Sequence, residues 1–325
     1  MLWAVSVLFV LGYSSTDFWA VLVAGSRGIM NYRHQADVCH TYNLLRDGGI
    51  PADHIVTMMF DDVAWSGSNP LIGRLYNEPN GPDVYSNCLV DHRRDSVNLE
   101  TFTKVLTGED LHVFPTIHSS DESTVLISFV DHGEPGQLLF PTTGLNGPTL
   151  LSIINSMKYR KLVIYVEACF AGSVFETVQL PKNVIAVTAS NASESSWGTF
   201  CPTPKHPDAD AINGIHIGTC LGDLFEVSWK RDLENRLSTG LMTNSTLTDH
   251  IEAVKDIVSR KSNVMVYGDT ELLNEPLSNI FPLTCRTNSH KIQPSDDLLV
   301  ESSMRQREPS FATPPVVLDY TLVAN

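Results

Sequence analysis

The chain has 325 residues, 42% hydrophobic and 18% charged, with 22 Lys and Arg against 37 Asp and Glu for a formal net charge of −15. That length and balance suit one large globular domain or two smaller ones. The acid excess argues against a nucleic-acid binder, which needs a basic face to displace counterions, and fits a protein kept soluble in an acidic or extracellular compartment.

In chain order, the first feature is the apolar run Leu2 to Leu11, followed by Gly12, Ser14 and Ser15. It is too short to span a bilayer and has the length of a signal-peptide core. No Lys or Arg precedes it, so the α-amino group is its only positive charge. Residues 1–16 are read as a cleaved secretory signal. No other stretch is long and apolar enough for a membrane span, so the mature form is expected to have no membrane contact.

Strand candidates then recur with helical segments between them: 18–24 (FWAVLVA), 54–60 (HIVTMMF), 124–130 (TVLISFV), 161–166 (KLVIYV) and 183–189 (NVIAVTA). They are rich in β-branched or aromatic residues, and their alternation with helices is the pattern of an α/β sheet. Between the first two, Val38, Tyr42 and Leu45 mark a helix that Gly48 stops. Before the fourth, Leu150, Ile153, Ile154 and Met157 form an apolar stripe behind Pro148, which suits a first helical turn. Segments 65–94 and 198–218 are rich in breakers and read as long loops, which tend to be functional or disordered. From Arg286 the chain turns polar and rich in Pro and Ser, reading as a tail or linker. This divides it into 1–16, a domain over 17–285, and 286–325.

Six cysteines (39, 88, 169, 201, 220, 285) are too sparse for a disulfide scaffold, and none forms a CxxC pair, so a structural zinc site is not expected. In a secreted protein a Cys201–Cys220 bridge is plausible, and closing that loop is worth roughly 3 kcal/mol. His206, His216 and Cys220 lack standard metal-ligand spacing. The sequons at Asn191 and Asn244 permit glycosylation.

Polar residues follow three of the strand candidates directly: Asn31, Arg33 and His34 after the first, Asp131-His132-Gly133 after the third, and Glu167 and Cys169 after the fourth. In a parallel sheet these carboxyl ends share one edge, where such sheets bind ligands. A histidine one strand from a cysteine is what nucleophilic catalysis needs, because the imidazole takes the thiol proton and later protonates the leaving amine. Gly133 and Phe170 each have a backbone N–H that can face a tetrahedral oxyanion. The plain alternatives are a buried filler cysteine and a satisfied core histidine. Placement of both at strand ends favours catalysis.

The blocks WAVLVAGSRGIMNYRHQADVCHTY, DDVAWSGSNP, PNGPDVY, DHG, YVEAC, ASNASESSWGTFCP and CLGDLFEVSW together resemble the legumain family of cysteine peptidases, the asparaginyl endopeptidases or vacuolar processing enzymes. The loop wording is nearest the plant-type members, and the resemblance covers roughly residues 18–270. It implies a caspase-like α/β fold, with a mostly parallel central sheet flanked by helices on both faces. It also implies cleavage of proteins and peptides with exposed asparagine, in a vacuole or lysosome, without cofactor or metal. Carried over, Cys169 is the nucleophile and His132 the general base and acid. Asn31 orients His132, and Gly133 with the Cys169 amide forms the oxyanion hole. Arg33, Glu167 and Asp223 hold the asparagine, with Ser195 and Ser196 along the wall.

A carboxamide offers an acceptor oxygen and two N–H donors. A pocket with one cation and two acids answers both ends, and leaves an apolar side chain with unpaired buried partners. The plain alternative is an ion pair that merely orders the sheet edge.

Three departures stand out. The chain reads EACFAGS where the family usually reads EACESGS, so Phe170 and Ala171 make the wall beside the scissile bond more apolar. GSRG carries Arg27 where an Asn is usual. The roughly forty residues after Cys285 are too few for the helical domain that covers the site in family zymogens. The expected enzyme is a monomeric Asn-specific endopeptidase, able also to ligate peptides through the same thioester. The alternatives are a relative of the lipid-anchor transamidase or a non-catalytic peptide binder.

Overall fold

The structure, a computed structural model, describes residues 17–285; the readings made for 1–16 and 286–325 lie outside the described residues. The apolar runs form the central sheet: β1 (Phe18–Ala24), β2 (Ile55–Met59), β3 (Thr124–Val130), β7 (Lys161–Glu167) and β8 (Val184–Thr188). Three short strands follow β3: β4 (Gly133–Glu134), β5 (Gln137–Leu139) and β6 (Gly144–Asn146). Four more follow β8: β9 (Gly198–Thr199), the pair β10 (Ala211–Ile212) and β11 (Ile215–His216), and β12 (Gly222–Asp223). β13 (Met265–Gly268) completes the main sheet, whose order is β13-β8-β7-β3-β1-β2. Every pairing in it is parallel except that of β13 with β8.

All positions of β1, β3 and β7 are buried, as expected of parallel strands covered on both faces. Alternate residues divide between two cores. Ala20, Leu22, Ala24, Leu126 and Val130 pack with helices α1 (Tyr32–Asp47), α5 (Leu224–Thr239) and α6 (Leu247–Val258). Val21, Val23, Val125, Ile127 and Phe129 pack with α2 (Leu99–Thr107), α3 (Gly147–Ser156) and the short α4 (Gly172–Phe175). The expected architecture, a mostly parallel α/β sheet with helices on both faces, is the one observed.

Two helices lie where the apolar spacing put them. Gly48 ends α1, and α3 buries Leu150, Ile153 and Ile154 with Pro148 in its first turn. α2, α5, α6 and the edge strand β13 had no sequence assignment. In α5 the buried set includes Glu226, Ser228 and Lys230, so polar residues interrupt its apolar stripe. Cys201 and Cys220 are bonded as anticipated, and a second bridge, not anticipated, joins Cys39 of α1 to Cys88 in the 65–94 loop. Cys220 is thereby removed from any metal-ligand set.

Candidate active site

Register brings the chemistry together. Val130 pairs with Glu167 across β3 and β7, and Ala24 pairs with Val130 across β1 and β3. The residues just beyond these pairs therefore leave the sheet side by side, and the three segments singled out by sequence meet at one edge.

Asn31 sits at the N-cap of α1, and its side-chain amide donates to the Arg27 carbonyl at 2.9 Å. That leaves its oxygen to accept from His132 Nε2 at 2.9 Å. The ring proton is thus held on Nε2, and Nδ1, buried and without a hydrogen-bond partner among the described residues, keeps its lone pair. Burial, reinforced by the Arg33 cation, pushes the imidazole down to about 4. It is a neutral base at mildly acidic pH.

Gly133 is required by close approach. A Cβ there would lie 2.2 Å from the Cys169 carbonyl oxygen and 3.0 Å from the Ala168 Cβ. This contact sets the two candidate oxyanion segments against each other as the chain turns into β4.

Cys169 is 3% exposed. Phe170 follows with a left-handed φ of 55° and donates its N–H to the Glu194 carbonyl at 2.8 Å. The suggestion that the Phe170 amide faces an oxyanion is therefore corrected: that donor is committed to the loop. Burial raises the Cys169 thiol. The Ser196 backbone amide and Ser195 hydroxyl beside the sulfur oppose this, and Glu167 adds to it. Such a thiol is neutral when unassisted and needs the base across the sheet edge.

The pocket residues converge too. Arg33 Nε donates to Asp223 Oδ1 at 2.8 Å and its Nη1 to the Met30 carbonyl at 3.2 Å. Glu167 and Asp223 are fully buried, and Ser195 and Ser196 lie beside them in the core. Asp223 begins α5, and its backbone N–H donates to Asp37 Oδ2 at 3.0 Å. Burial, against the pull of Arg33, pushes the Asp223 carboxyl up to about 8. Burial and the adjoining Asp223 hold Glu167 well above the usual carboxylate range, the Ser196 hydroxyl opposing. Burial thus biases both pocket acids toward the neutral form, with Arg33 opposing this at Asp223.

Sequence reasoning passed over the residues that support this site. His34 is fully buried, with Nδ1 2.6 Å from Ser26 Oγ and 3.7 Å from Asp131 Oδ1. Its Nε2 lies 3.6 Å from Asp223 Oδ2, and its ring meets His132 edge-on at 5.1 Å. It was noted after β1 but given no role, although it shares a helical turn with Asn31 and Arg33. Beneath the pocket, Lys230 Nζ donates to Asp37 Oδ1 at 2.9 Å and approaches Glu226 Oε2 at 3.4 Å, all three side chains fully buried. The available signal was the Glu226/Lys230 spacing of four, ordinarily read as a solvated helix pair.

These observations describe an α/β domain with a cysteine, a tautomer-fixed histidine and a buried pocket of one arginine and two carboxyl groups at one sheet edge. The model of the Peptidase C13 family matches residues 18–293, and the chain belongs to that family. Among its relatives are the vacuolar-processing enzyme delta-isozyme of Arabidopsis thaliana and the legumain of Canavalia ensiformis. The first is 39% identical, over 80% of this chain and 57% of its own. The second is 40% identical, over 80% and 56%. The hemoglobinase of Schistosoma mansoni is 41% identical, over 80% and 58%. The chain thus spans a little over half the length of these relatives. A caspase-1 from Spodoptera frugiperda aligns with 78% of this chain and 87% of its own at 9% identity and a TM-score of 0.44, too remote to carry an argument.

Proposed function

We propose that this protein is a cysteine endopeptidase that cleaves peptide bonds after asparagine. The observation that supports this reading is the Asn31–His132 hydrogen bond, which leaves Nδ1 as the ring's open lone pair at the sheet edge that also carries Cys169. In the reaction, His132 Nδ1 takes the thiol proton as sulfur attacks the carbonyl carbon of the asparagine. The tetrahedral oxyanion is met by the Gly133 and Cys169 amides. Collapse breaks the C–N bond, His132 returns its proton to the leaving amine, and a thioester remains. Water, deprotonated by the same imidazole, then frees the acid product. An incoming amine in place of water gives ligation as a side activity.

Arg33 donates to the asparagine carboxamide oxygen, and the Glu167 and Asp223 carboxyls accept from its nitrogen. An aspartate substrate presents a carboxylate to the same acids, so it enters well only when a proton is shared between them. The names of the relatives favour a vacuolar or lysosomal location. None of the described helices is long and apolar enough to cross a membrane.

Paired fluorogenic peptides differing only in Asn or Asp before the reporter test the reading. We expect Asn cleavage over a broad mildly acidic range, and a ratio of kcat/KM values that moves toward Asp as pH falls. A ratio independent of pH would remove Arg33, Glu167 and Asp223 from substrate recognition.

A further inference from the structure

His34, Asp131 and His132 form a cluster that proton transfer alone does not require. Each offers one ligand atom, and the three atoms lie within 4.8 Å of one another. His34 Nδ1 and Asp131 Oδ1 are already 3.7 Å apart. Ligands of a tetrahedral zinc, at about 2.0–2.1 Å from the metal, sit roughly 3.4 Å from each other. A contraction of about 1 Å, within the reach of a side-chain rotation, converts this cluster into three of the four ligands of such a shell.

A further feature points to a cation. His132 Nδ1 is buried with no hydrogen-bond partner among the described residues, and such an atom is costly to leave unsatisfied. Two imidazoles and one carboxylate suit a borderline divalent ion of the zinc class, and suit magnesium or calcium poorly.

We propose that His34, Asp131 and His132 bind a zinc-class divalent cation, and that its binding reversibly switches the enzyme off. The consequence for catalysis is direct. Once His132 donates its lone pair to the metal, it no longer accepts the proton of Cys169. The cation enters from the His132 side, since His34 is fully buried and His132 is only partly so. No covalent bond is made or broken, and a chelator reverses the block. The inhibition, though not the binding, rests on the peptidase reading given above.

The binding is tested on the full chain with cobalt(II) as a spectroscopic stand-in and with zinc by calorimetry. A His216→Gln background silences the exposed histidine that lies against Asp208 and Asp210. We expect one cobalt per chain, with visible bands of nitrogen and oxygen ligation and no intense near-ultraviolet band of a thiolate ligand. Cys169→Ser should keep the affinity within about twofold. His34→Gln and Asp131→Asn should each weaken it by at least ~10-fold, the scale on which loss of even an outer-shell partner is felt. The cobalt spectrum needs no substitution at the site, so it decides the ligand set even if a variant fails to fold. A thiolate band, affinity unchanged in both folded variants, or no uptake would overturn the site.

Zinc should also abolish cleavage of the asparagine peptide, with EDTA restoring it. A protein that cleaves the peptide equally with and without zinc overturns the switch. One that binds cobalt as described but cleaves no asparagine peptide keeps the metal site and refutes the peptidase reading instead.

Discussion

With its amide nitrogen committed to the Arg27 carbonyl, Asn31 can present only oxygen to His132, and this orientation decides which ring nitrogen keeps an open lone pair. Asn31→Ala should therefore lower kcat more than it raises KM. The expected loss is on the order of 10- to 100-fold, part of what a positioned general base contributes. A change confined to KM would mean that Asn31 binds substrate and does not orient the ring. Cys169→Ala removes the proposed nucleophile from a site held by neighbours, so cleavage should vanish while the thermal midpoint stays within a few degrees of wild type. Residual turnover above background would exclude Cys169 as the nucleophile. At Gly133 the argument is steric: the 2.2 Å approach to the Cys169 carbonyl leaves no room for a methyl group. Gly133→Ala should cost about 1–3 kcal/mol, as overpacking does, and should displace both candidate oxyanion donors. Denaturant unfolding and kcat/KM report the two effects separately.

Among the elements, α1 and α5 do more than cover the sheet. Thirteen residues of α1 are buried, several of them polar, because its first turn carries Arg33 and His34 behind the N-cap Asn31, and its second carries Asp37. Asp37 answers to Lys230 of α5, so the two helices that frame the pocket are locked by a charge pair with both side chains fully buried. Removing one partner leaves the other uncompensated, at about 3–5 kcal/mol. Lys230→Met should show a loss of that size in chemical denaturation, and Asp37→Asn/Lys230→Met together should recover part of it. The absence of any coupling in this double-mutant cycle would exclude the pair as the lock. The Cys201–Cys220 bridge acts at the same scale. A Cβ on Gly198 would come 3.0 Å from Cys220 Sγ and 3.4 Å from Arg33 Cδ, so the disulfide abuts the pocket.

For the molecule as a whole, the buried acids set the pH dependence of stability. Asp223 is raised to about 8 and Glu226 to about 7, in both cases first by burial. A carboxyl with a raised folded pKa binds more protons folded than unfolded, so its stabilisation is present at low pH and is lost as pH rises through the folded value. His34 and His132 act in the opposite sense, since burial lowers both. Their contribution grows as pH rises and is complete by about 6.5, the unperturbed histidine value. Above that point the raised acids continue to titrate, and so do His40, raised beside Glu234, and His216, raised beside Asp210. The thermal midpoint should thus fall between about pH 6.5 and 8, and Glu226→Gln should flatten part of the decline. A midpoint constant over that window would contradict the protonated-acid account.

The strands and the residues at their ends were legible in the sequence because burial on both faces demands uninterrupted apolar runs, and Asn31, His132 and Cys169 break from those runs abruptly. The resemblance to family motifs then suggested the roles proposed for Arg33, Glu167 and Asp223. Periodicity did not reveal α5, because Glu226 and Lys230 face each other inside the protein and read as surface charge. Nor did spacing reveal the Cys39–Cys88 bridge, which depends on how the 65–94 loop folds over α1. The tautomer of His132, the commitment of the Phe170 amide and the upward shift of the pocket acids were decided by tertiary structure alone. Each depends on which groups lie within a few ångströms and on how much water is excluded, and a linear order of residues carries neither quantity.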